Sequence, residues 1–284
     1  MRILVTGAGG LLGAAIVREF RPAAEVHAAA HSDVDITDAA AVAALVASVR
    51  PDVVVNCAAH NDVDGAQRDP GLTLGVNAFG VLGLARAAAG VDATFVHYSS
   101  DFVFDGETSR PYTEEDRANP QGVYAASKLL GDWFAMDAPR AYVFRVESLF
   151  GEPGPGGARR GSLATIVERI RAGVEVPVFV DRTVSPSYTT DIARATRAAI
   201  EQRLVPGLYH CVNEGAASWA EVATEAARLL GCALRMKPLT LQTARLLAPR
   251  PRYCALSPGK LKAAGVLMPP WQDALARHLN AGCS

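Results

Sequence analysis

A tyrosine and a lysine that could transfer a proton stand four residues apart in the stretch VYAASKLLGDWF. This stretch predicts an amphipathic helix, and Tyr124 and Lys128 would lie on the same side of it. An ammonium beside a phenol favours the phenolate, so Lys128 close to Tyr124 would lower the pKa of the phenol. The same spacing is also common on solvated helix faces, so the assignment requires a site around the pair.

The elements that would position this pair alternate along the first half of the chain. Apolar strands and helices follow one another, as in a parallel sheet that helices cover on both faces. The sequence therefore predicts an α/β fold with a doubly wound sheet. The strands are expected at Arg2–Val5, Val26–Ala30, Asp52–Asn56, Ala93–Ser100 and Ala141–Val146, and the helices at Leu11–Phe20, up to Arg50, at Leu72–Ala89 and around Tyr124.

Three glycines join the first strand to the first helix in ILVTGAGGLLG. Gly7, Gly10 and Gly13 are spaced G-x-x-G-x-x-G. One glycine permits a sharp turn, one lets the backbone approach a pyrophosphate, and one lets the helix pack closely on the strand. The N–H groups that begin the helix would face the phosphates. The turn predicts dinucleotide binding, the alternative being an ordinary tight strand-to-helix turn.

The end of the second strand bears on which dinucleotide is bound. An acidic residue there would hold the ribose hydroxyls and favour NAD. Ala29 and Ala30 occupy the expected position, and His31 and Ser32 follow. Since these two side chains can accommodate a phosphate, the sequence favours NADPH over NADH.

Composition excludes several classes of protein. The 284 residues suit two modest domains or one large domain with an insertion, and half of them are hydrophobic. A net charge of −1 argues against nucleic acid or an anionic membrane as the main partner. The five cysteines form no C-x-x-C pair, which argues against a disulfide framework or structural zinc. We find neither a signal peptide nor an apolar stretch long enough to span a bilayer, and we expect a soluble cytoplasmic protein.

Several further motifs, read in order, carry a resemblance to a known family. They are DITD, NCAAHNDVDGA, HYSSDFVFDG, the Tyr124/Lys128 pair, SPSYTTDIA and GLYHCVNEGAASW. With the glycine turn, they resemble the extended short-chain dehydrogenase/reductase superfamily and, within it, the dTDP-4-dehydrorhamnose reductase family. The resemblance implies a Rossmann-type domain at residues 1–150, to which residues 187–206 return. Residues 151–284 would mainly form a smaller α+β nucleotide-sugar domain, with the boundary in the Gly/Pro-rich loop 151–161.

The resemblance also implies an activity. Members of the family reduce the C4 ketone of a dTDP-4-keto-6-deoxy-sugar with NADPH or NADH, in deoxysugar biosynthesis. The catalytic residues would be Ser100, which holds the carbonyl oxygen, Tyr124, the general acid, and Lys128. The lysine would lower the phenol's pKa and bind the nicotinamide ribose.

Other positions carry over from the family in two groups. The cofactor-side residues, besides Tyr124 and Lys128, would be Gly7, Gly10, Leu11, Leu12, Gly13, His31, Asp35, Ile36, Ala58, Ala59, His60, Asn77 and Ser99. The substrate-side residues would be Asn61, Val63, Asp101, Phe102, Val103, Ser148 and Arg252. Arg145 would lie beneath the nicotinamide or form a structural ion pair, and Arg159 and Arg160 are further candidates. We expect no metal, and a monomer or a homodimer.

Two departures from the family pattern leave the sugar open. RVESLFG places Glu147 and Ser148 where the family commonly has a tryptophan after RTS, and ARRGSL replaces the usual Asn-Phe of a glycine-rich loop. An epimerase or dehydratase of the same superfamily is an alternative, although SSDF lacks the Glu after Asp that dehydratases typically have. A non-catalytic binding or regulatory subunit is another, although both Tyr124 and Lys128 are present.

Overall fold

The computed structural model describes residues 1–154 and 161–281. The strands are β1 (Arg2–Thr6), β2 (Glu25–Ala29), β3 (Val53–Asn56), β4 (Thr94–Ser100), β5 (Ala141–Val146), β6 (Leu149–Phe150), β7 (Val176–Phe179), β8 (Thr183–Val184), β9 (Ser187–Tyr188), β10 (Gly207–His210), β11 (Ala217–Ser218) and β12 (Met236–Leu239). The α-helices are α1 (Leu11–Phe20), α2 (Ala39–Val49), α3 (Val63–Arg68), α4 (Pro70–Leu74), α5 (Gly80–Gly90), α6 (Val123–Ala135), α7 (Ser162–Arg171), α8 (Thr189–Glu201), α9 (Trp219–Leu230), α10 (Gly259–Ala263) and α11 (Trp271–Ala281). A π-helical turn spans Gly75–Phe79, and a 3₁₀ turn spans Asp101–Val103.

Six of these strands form one parallel sheet in the order β10-β5-β4-β3-β1-β2. From β1 the chain passes to β2 on one side and then to β3 on the other. The strand order therefore changes direction between β1 and β3, where open α/β sheets bind ligands at the carboxyl ends of their strands. The predicted doubly wound α/β fold is confirmed.

Helices cover both faces of this sheet, which explains its uniformly apolar strands. On one face, Ile16 of α1 and Ile192 of α8 are buried in one core cluster with alternate strand residues. On the other face, Val42 of α2 and Leu84 of α5 are buried with the intervening ones. Each inner strand therefore buries side chains in both directions, as parallel strands in such folds do, whereas the edge strand β2 is largely exposed.

A second core lies in the later part of the chain. Ile170 of α7, Val222 of α9 and Leu275 of α11 are buried there together. Helix α9 begins with a capping box: the Ser218 hydroxyl accepts from the Glu221 N–H at 3.2 Å, and the Ser218 N–H donates to the Glu221 carboxylate at 2.7 Å. These bonds satisfy backbone donors that a helix start leaves open.

The structure differs from the sequence-based expectation in the helix after β3. We expected one helix over Leu72–Ala89, whereas helical structure runs from Pro70 to Gly90 and includes the π-helical turn. By length and composition this 21-residue stretch is apolar enough to cross a membrane, which we did not expect. Its residues Val81, Leu84 and Ala88 are nevertheless buried against the sheet, as in the core helix of a soluble protein.

The contact between the glycine turn and α1 gives a prediction about stability. A Cβ on Gly13 would lie 2.2 Å from the Gly7 carbonyl oxygen. We expect Gly13→Ala to lower the free energy of unfolding by about 1–3 kcal/mol, because strand and helix must separate to accept the methyl group. Urea denaturation measures this change.

Gly83 in α5 provides the matched control, since a Cβ there meets no atom within 4 Å. Gly83→Ala should stabilise the protein by about 0.5–1 kcal/mol through helix propensity. Equal effects of the two substitutions would contradict the close contact at Gly13.

Candidate active site

Two neighbouring cavities lie at the carboxyl ends of the sheet strands. One, of about 460 Å³, contains the predicted catalytic trio Ser100, Tyr124 and Lys128. The other, of about 630 Å³, lies beside β1 and β2. Both are lined by Gly10, Ala58 and Asn61, so they meet at the start of α1 and the end of β3. We call them the catalytic cavity and the β2 cavity.

The glycine turn between β1 and α1 has the shape that a pyrophosphate requires. Gly7 has a φ of +67°, and a Cβ there would lie 2.5 Å from the Ala58 nitrogen. Among the residues that the structure describes, no side chain caps the first turn of α1, so its backbone N–H groups are available as donors. Since these groups favour anions, the residues fit the diphosphate of a dinucleotide.

The β2 cavity gathers most of the predicted cofactor-side residues. Its lining includes Gly7, Gly10, His31, Asp35, Ile36, Ala58, Ala59 and His60. Leu11, Leu12 and Ser99 line the catalytic cavity. The acidic residues after β2 are engaged locally: Asp33 accepts from the Ala30 N–H at 2.7 Å, and Asp35 accepts from the Thr37 N–H and hydroxyl at 2.9 and 2.8 Å. The two Thr37 bonds lower the pKa of Asp35.

Gly13 and Asn77 line neither cavity. Asn77 is buried in the π-helical turn, where its Oδ1 accepts from the His60 N–H at 2.8 Å and its Nδ2 donates to the His60 carbonyl at 3.0 Å. The same nitrogen lies 3.0 Å from the hydroxyl of Ser127 in α6. Asn77 therefore fixes the loop after β3 to the helix that carries the tyrosine and the lysine.

The Lys128 side chain reaches the central strand β4. Its Nζ donates to the Tyr98 carbonyl at 2.6 Å, and the residue is only 2% exposed. Burial lowers the pKa of Lys128 to about 8, partly opposed by the negative charge of Asp132 one turn along α6. Lys128 therefore remains mainly protonated at neutral pH.

The Tyr124 phenol differs from the expectation. Burial and then the charge of Asp101 raise its pKa, while the Ser100 hydroxyl tends to lower it. The expected lowering by Lys128 is not seen, because the lysine donates to a strand carbonyl and desolvation disfavours the phenolate. The hydroxyl itself lies 3.4 Å from the Asn61 Oδ1. Tyr124 is therefore a protonated acid at neutral pH.

Ser100 ends β4 and caps the following 3₁₀ turn. Its hydroxyl donates to the Asp101 Oδ1 at 2.8 Å and accepts from the Phe102 N–H at 3.2 Å. The Phe102 ring meets the Tyr124 ring edge-on, with centroids 5.4 Å apart. This turn thus holds the serine and the phenol at the same wall of the catalytic cavity.

The structure brings most, but not all, of the predicted substrate-side residues together. Asn61, Val63, Asp101, Phe102 and Ser148 line the catalytic cavity. Two others lie elsewhere. Val103 is fully buried in a small core with Phe104, and Arg252 is largely exposed, with its guanidinium 4.0 Å from Asp181. Arg159 and Arg160 lie outside the described residues.

Arg145 takes the structural role that the sequence left as one alternative. Its Nε and terminal nitrogen both lie 3.0 Å from the Asp132 Oδ2, and both side chains are 6% exposed. The guanidinium also lies 5.0 Å from the centre of the Phe104 ring. The resulting buried ion pair joins β5 to α6.

Arg182 and Trp219 are among the residues of the catalytic cavity that sequence reasoning did not assign to the site. Arg182 donates to the Pro251 carbonyl at 3.1 Å and to the Cys254 sulfur at 3.2 Å. It precedes the recognised SPSYTTDIA segment, but local spacing gives no indication that it turns inward. Trp219 begins α9 immediately after the capping serine, so its position in the sequence indicated only a helix start.

Comparisons with known proteins extend over the whole chain. A family model described as the RmlD substrate binding domain matches residues 1–283. The chain is 36% identical over 296 residues to a dTDP-4-dehydrorhamnose reductase of Streptomyces griseus, covering 99% of this chain and 94% of that protein. It is 35% identical over 280 residues to a probable dTDP-4,6-dihydroxy-2-methyloxan-3-one 4-ketoreductase of Streptomyces antibioticus, covering 97% and 93%.

A solved structure shows the same similarity to dTDP-4-dehydrorhamnose reductases. The dTDP-4-dehydrorhamnose reductase of Bacillus anthracis in complex with NADP matches with a TM-score of 0.92 and 28% identity, over 99% of both chains. Family model, sequence relatives and fold therefore agree with the resemblance that the motifs predicted. The chain belongs to the dTDP-4-dehydrorhamnose reductase family of extended short-chain dehydrogenases/reductases.

Proposed function

We propose that the protein reduces the 4-keto group of a dTDP-4-keto-6-deoxy-sugar with NADPH or NADH, in deoxysugar biosynthesis. The observation that carries this function is the convergence of Ser100, Tyr124 and Lys128 on a cavity that meets the glycine turn. That arrangement brings an acid, a hydrogen-bond donor and a buried cation to one cavity beside the proposed dinucleotide site.

The bound nicotinamide would supply the hydride, and the side chains of this chain would manage the charge. Tyr124 donates its proton to the carbonyl oxygen as that oxygen becomes negative. The Ser100 hydroxyl, shared with Asp101 in the absence of substrate, is the donor that holds the oxygen. The ammonium of Lys128, bonded to the Tyr98 carbonyl in the same cavity, would also bind the nicotinamide ribose.

The cofactor side favours NADPH. The relative from Bacillus anthracis was solved with NADP. In this chain, Asp33 and Asp35 hydrogen-bond to neighbouring backbone N–H groups, while His31 lines the β2 cavity. A 2′-phosphate would therefore meet His31 and Ser32 in place of a ribose-binding carboxylate.

The sugar side is proposed only as a class. The two relatives from Streptomyces are named for different ketosugars. Residues beyond Gly151, among them Trp219 and Arg182, supply part of the cavity wall, in keeping with a nucleotide-sugar domain. We propose a cytoplasmic enzyme, monomeric or homodimeric, without a nucleic-acid or membrane partner.

Replacing the general acid gives the first test of this proposal. Tyr124→Phe should lower kcat by about 10²–10⁴-fold and leave cofactor binding unchanged, because only the transferred proton is lost. The assay follows NADPH or NADH oxidation with a dTDP-4-keto-6-deoxy-sugar, and cofactor fluorescence reports binding. Tyr142→Phe is the control, since that hydroxyl donates to the distant Leu204 carbonyl. Full activity in Tyr124→Phe would refute the assigned role.

A charge placed after β2 tests the choice of cofactor. His31→Asp should raise the KM for NADPH relative to that for NADH by about tenfold, the ratio that about 1.4 kcal/mol of charge repulsion produces. His31→Asn, a neutral change at the same position, controls for loss of the imidazole and altered loop structure. An unchanged ratio would mean that the 2′-position of the ribose lies away from His31.

The buried ammonium predicts a pH-dependent difference in stability. The pKa of Lys128 falls from 10.5 to about 8 on burial, so the unfolded chain holds this proton more tightly than the folded protein does. Lys128→Met should lose activity yet unfold with a larger free energy at pH 7. This advantage should shrink by up to about 1.4 kcal/mol per pH unit between about pH 8 and 10, because rising pH stabilises only the parent.

Lys237→Met is the matched control, since that side chain is 58% exposed in a surface ion pair. Its difference from the parent should stay constant over the same pH range. Chemical denaturation at several pH values measures both. A constant difference for Lys128→Met as well would show that the ammonium is hydrated in solution.

A further inference from the structure

Two carboxyl groups are buried together beside the catalytic serine. Asp101 is 4% exposed and Glu147 is 2% exposed. One carboxyl oxygen of each residue and the Cys254 sulfur all lie within 4.8 Å of one another. Two carboxyl groups in such proximity and out of water strongly disfavour double ionisation.

Each carboxyl group has one oxygen engaged and one oxygen unsatisfied. The Asp101 Oδ1 accepts from the Ser100 hydroxyl at 2.8 Å, and the Glu147 Oε2 accepts from the Ser185 N–H at 2.6 Å. The Asp101 Oδ2 and the Glu147 Oε1 are buried without a hydrogen-bond partner among the described residues. Buried oxygens of this kind are costly unless something donates to them.

The charges around the pair do not balance if both groups are ionised. Arg182 is the neighbouring cation, and it is shared with Cys254, whose thiol is kept neutral because burial raises its pKa. The phenols of Tyr124, near Asp101, and Tyr253, near Glu147, are also neutral, since burial raises their pKa values. Two carboxylates and one guanidinium would leave one uncompensated negative charge in the interior.

A proton resolves this imbalance better than a metal ion does. One proton neutralises the excess charge and gives an O–H donor to an otherwise unpartnered oxygen. The Arg182 guanidinium donates to the Cys254 sulfur at 3.2 Å, so a positive charge already occupies the side where a divalent cation would be bound. Burial also raises the pKa of Asp101 to about 6 and that of Glu147 well above its ordinary value.

We propose that Asp101 and Glu147 share one proton at neutral pH, and that Glu147 is thereby a positioning residue for ketone reduction. The shared proton prevents a second negative charge from forming next to Ser100 and Tyr124. Its catalytic consequence rests on the proposed reductase function, whereas the sharing of the proton does not.

Loss of the shared proton should lower kcat at alkaline pH. When it leaves, the pair carries two charges near a phenol that must donate a proton and a carbonyl oxygen that becomes negative. Because the two groups titrate as a unit, the limit belongs to the pair. It affects the chemical step, so it should appear in kcat and leave the KM for the sugar nearly unchanged.

Glu147→Gln removes the shared proton at nearly constant volume. The amide oxygen can still accept from the Ser185 N–H, and the amide nitrogen can donate to Asp101, which then remains ionised opposite Arg182. Glu114→Gln is the matched control. Glu114 is also partly buried, accepts a backbone N–H, from His210 at 2.7 Å, and has a pKa that burial raises, but it does not line the catalytic cavity.

Infrared difference spectroscopy at pH 7 tests the proton without any turnover. The parent protein and Glu114→Gln should show the C=O stretch of a buried protonated carboxyl group, which Glu147→Gln should lack. Asp101→Asn tests the same proton from the other partner and should also lack the band, which covers the case in which one variant folds poorly. A band that persists in both Glu147→Gln and Asp101→Asn would overturn the proposal.

The pH profile of kcat tests the positioning role. Relative to pH 7, the alkaline loss in kcat should begin about one pH unit higher in Glu147→Gln than in the parent, which is about a tenfold advantage at alkaline pH. Glu114→Gln should follow the parent. An unchanged profile in Glu147→Gln would overturn the positioning role. If Glu147→Gln loses the infrared band but the parent protein reduces none of a panel of ketosugars, the shared proton is supported and the reductase assignment is rejected.

Discussion

The ammonium group of Lys128 is held out of water, and the geometry of the site depends on how that charge is accommodated. Its hydrogen bond to the Tyr98 carbonyl ties α6 to β4. One turn further along the helix, Asp132 provides an opposite charge and pairs with Arg145 of β5. This alternation of charges replaces the lost hydration, as buried ions require. Tyr124 precedes Lys128 by one turn, so the contacts that satisfy the cation also fix the phenol.

The parts of this arrangement that local sequence patterns specify were predictable. Apolar runs separated by helical periodicity predicted the central strands, and three glycines after β1 predicted a tight turn into α1, where Gly7 has a φ of +67°. The spacing of Tyr124 and Lys128 placed both on one helix face. Residues fixed by distant partners were not predictable in this way. Arg182 turns inward because it meets Pro251 and Cys254, which lie about seventy positions further along the chain.

The pKa of Tyr124 could not be predicted from the sequence spacing of Tyr124 and Lys128 alone. Residues four apart on a helix are neighbours, but that rule does not determine what the long lysine side chain binds. In the structure the carbonyl of Tyr98 accepts a hydrogen bond from the Lys128 ammonium. Burial and the charge of Asp101 are then the main influences on the pKa of Tyr124. A phenol of ordinary pKa, about 10, is already protonated at neutral pH, so burial of Tyr124 makes it a weaker acid and does not increase its readiness to donate.

Ser148 is one of the residues at which this chain departs from the family pattern, and its backbone conformation is unusual. Its φ of 44° lies in the left-handed region, where a residue other than glycine costs about 1–2 kcal/mol. Its carbonyl accepts from the Ser187 N–H at 3.3 Å, at the point where β6 and β9 begin to pair. The preceding residue, Glu147, is bonded to the Ser185 N–H, so two consecutive residues after β5 are held by one segment of the second core. The small Ser148 side chain, Arg182 and Trp219 then line the same cavity, each carried by an element anchored in that core. Because three distant segments set this wall, its shape depends on the packing of the second core, whereas Tyr124 and Lys128 on α6 are held by contacts with the central sheet.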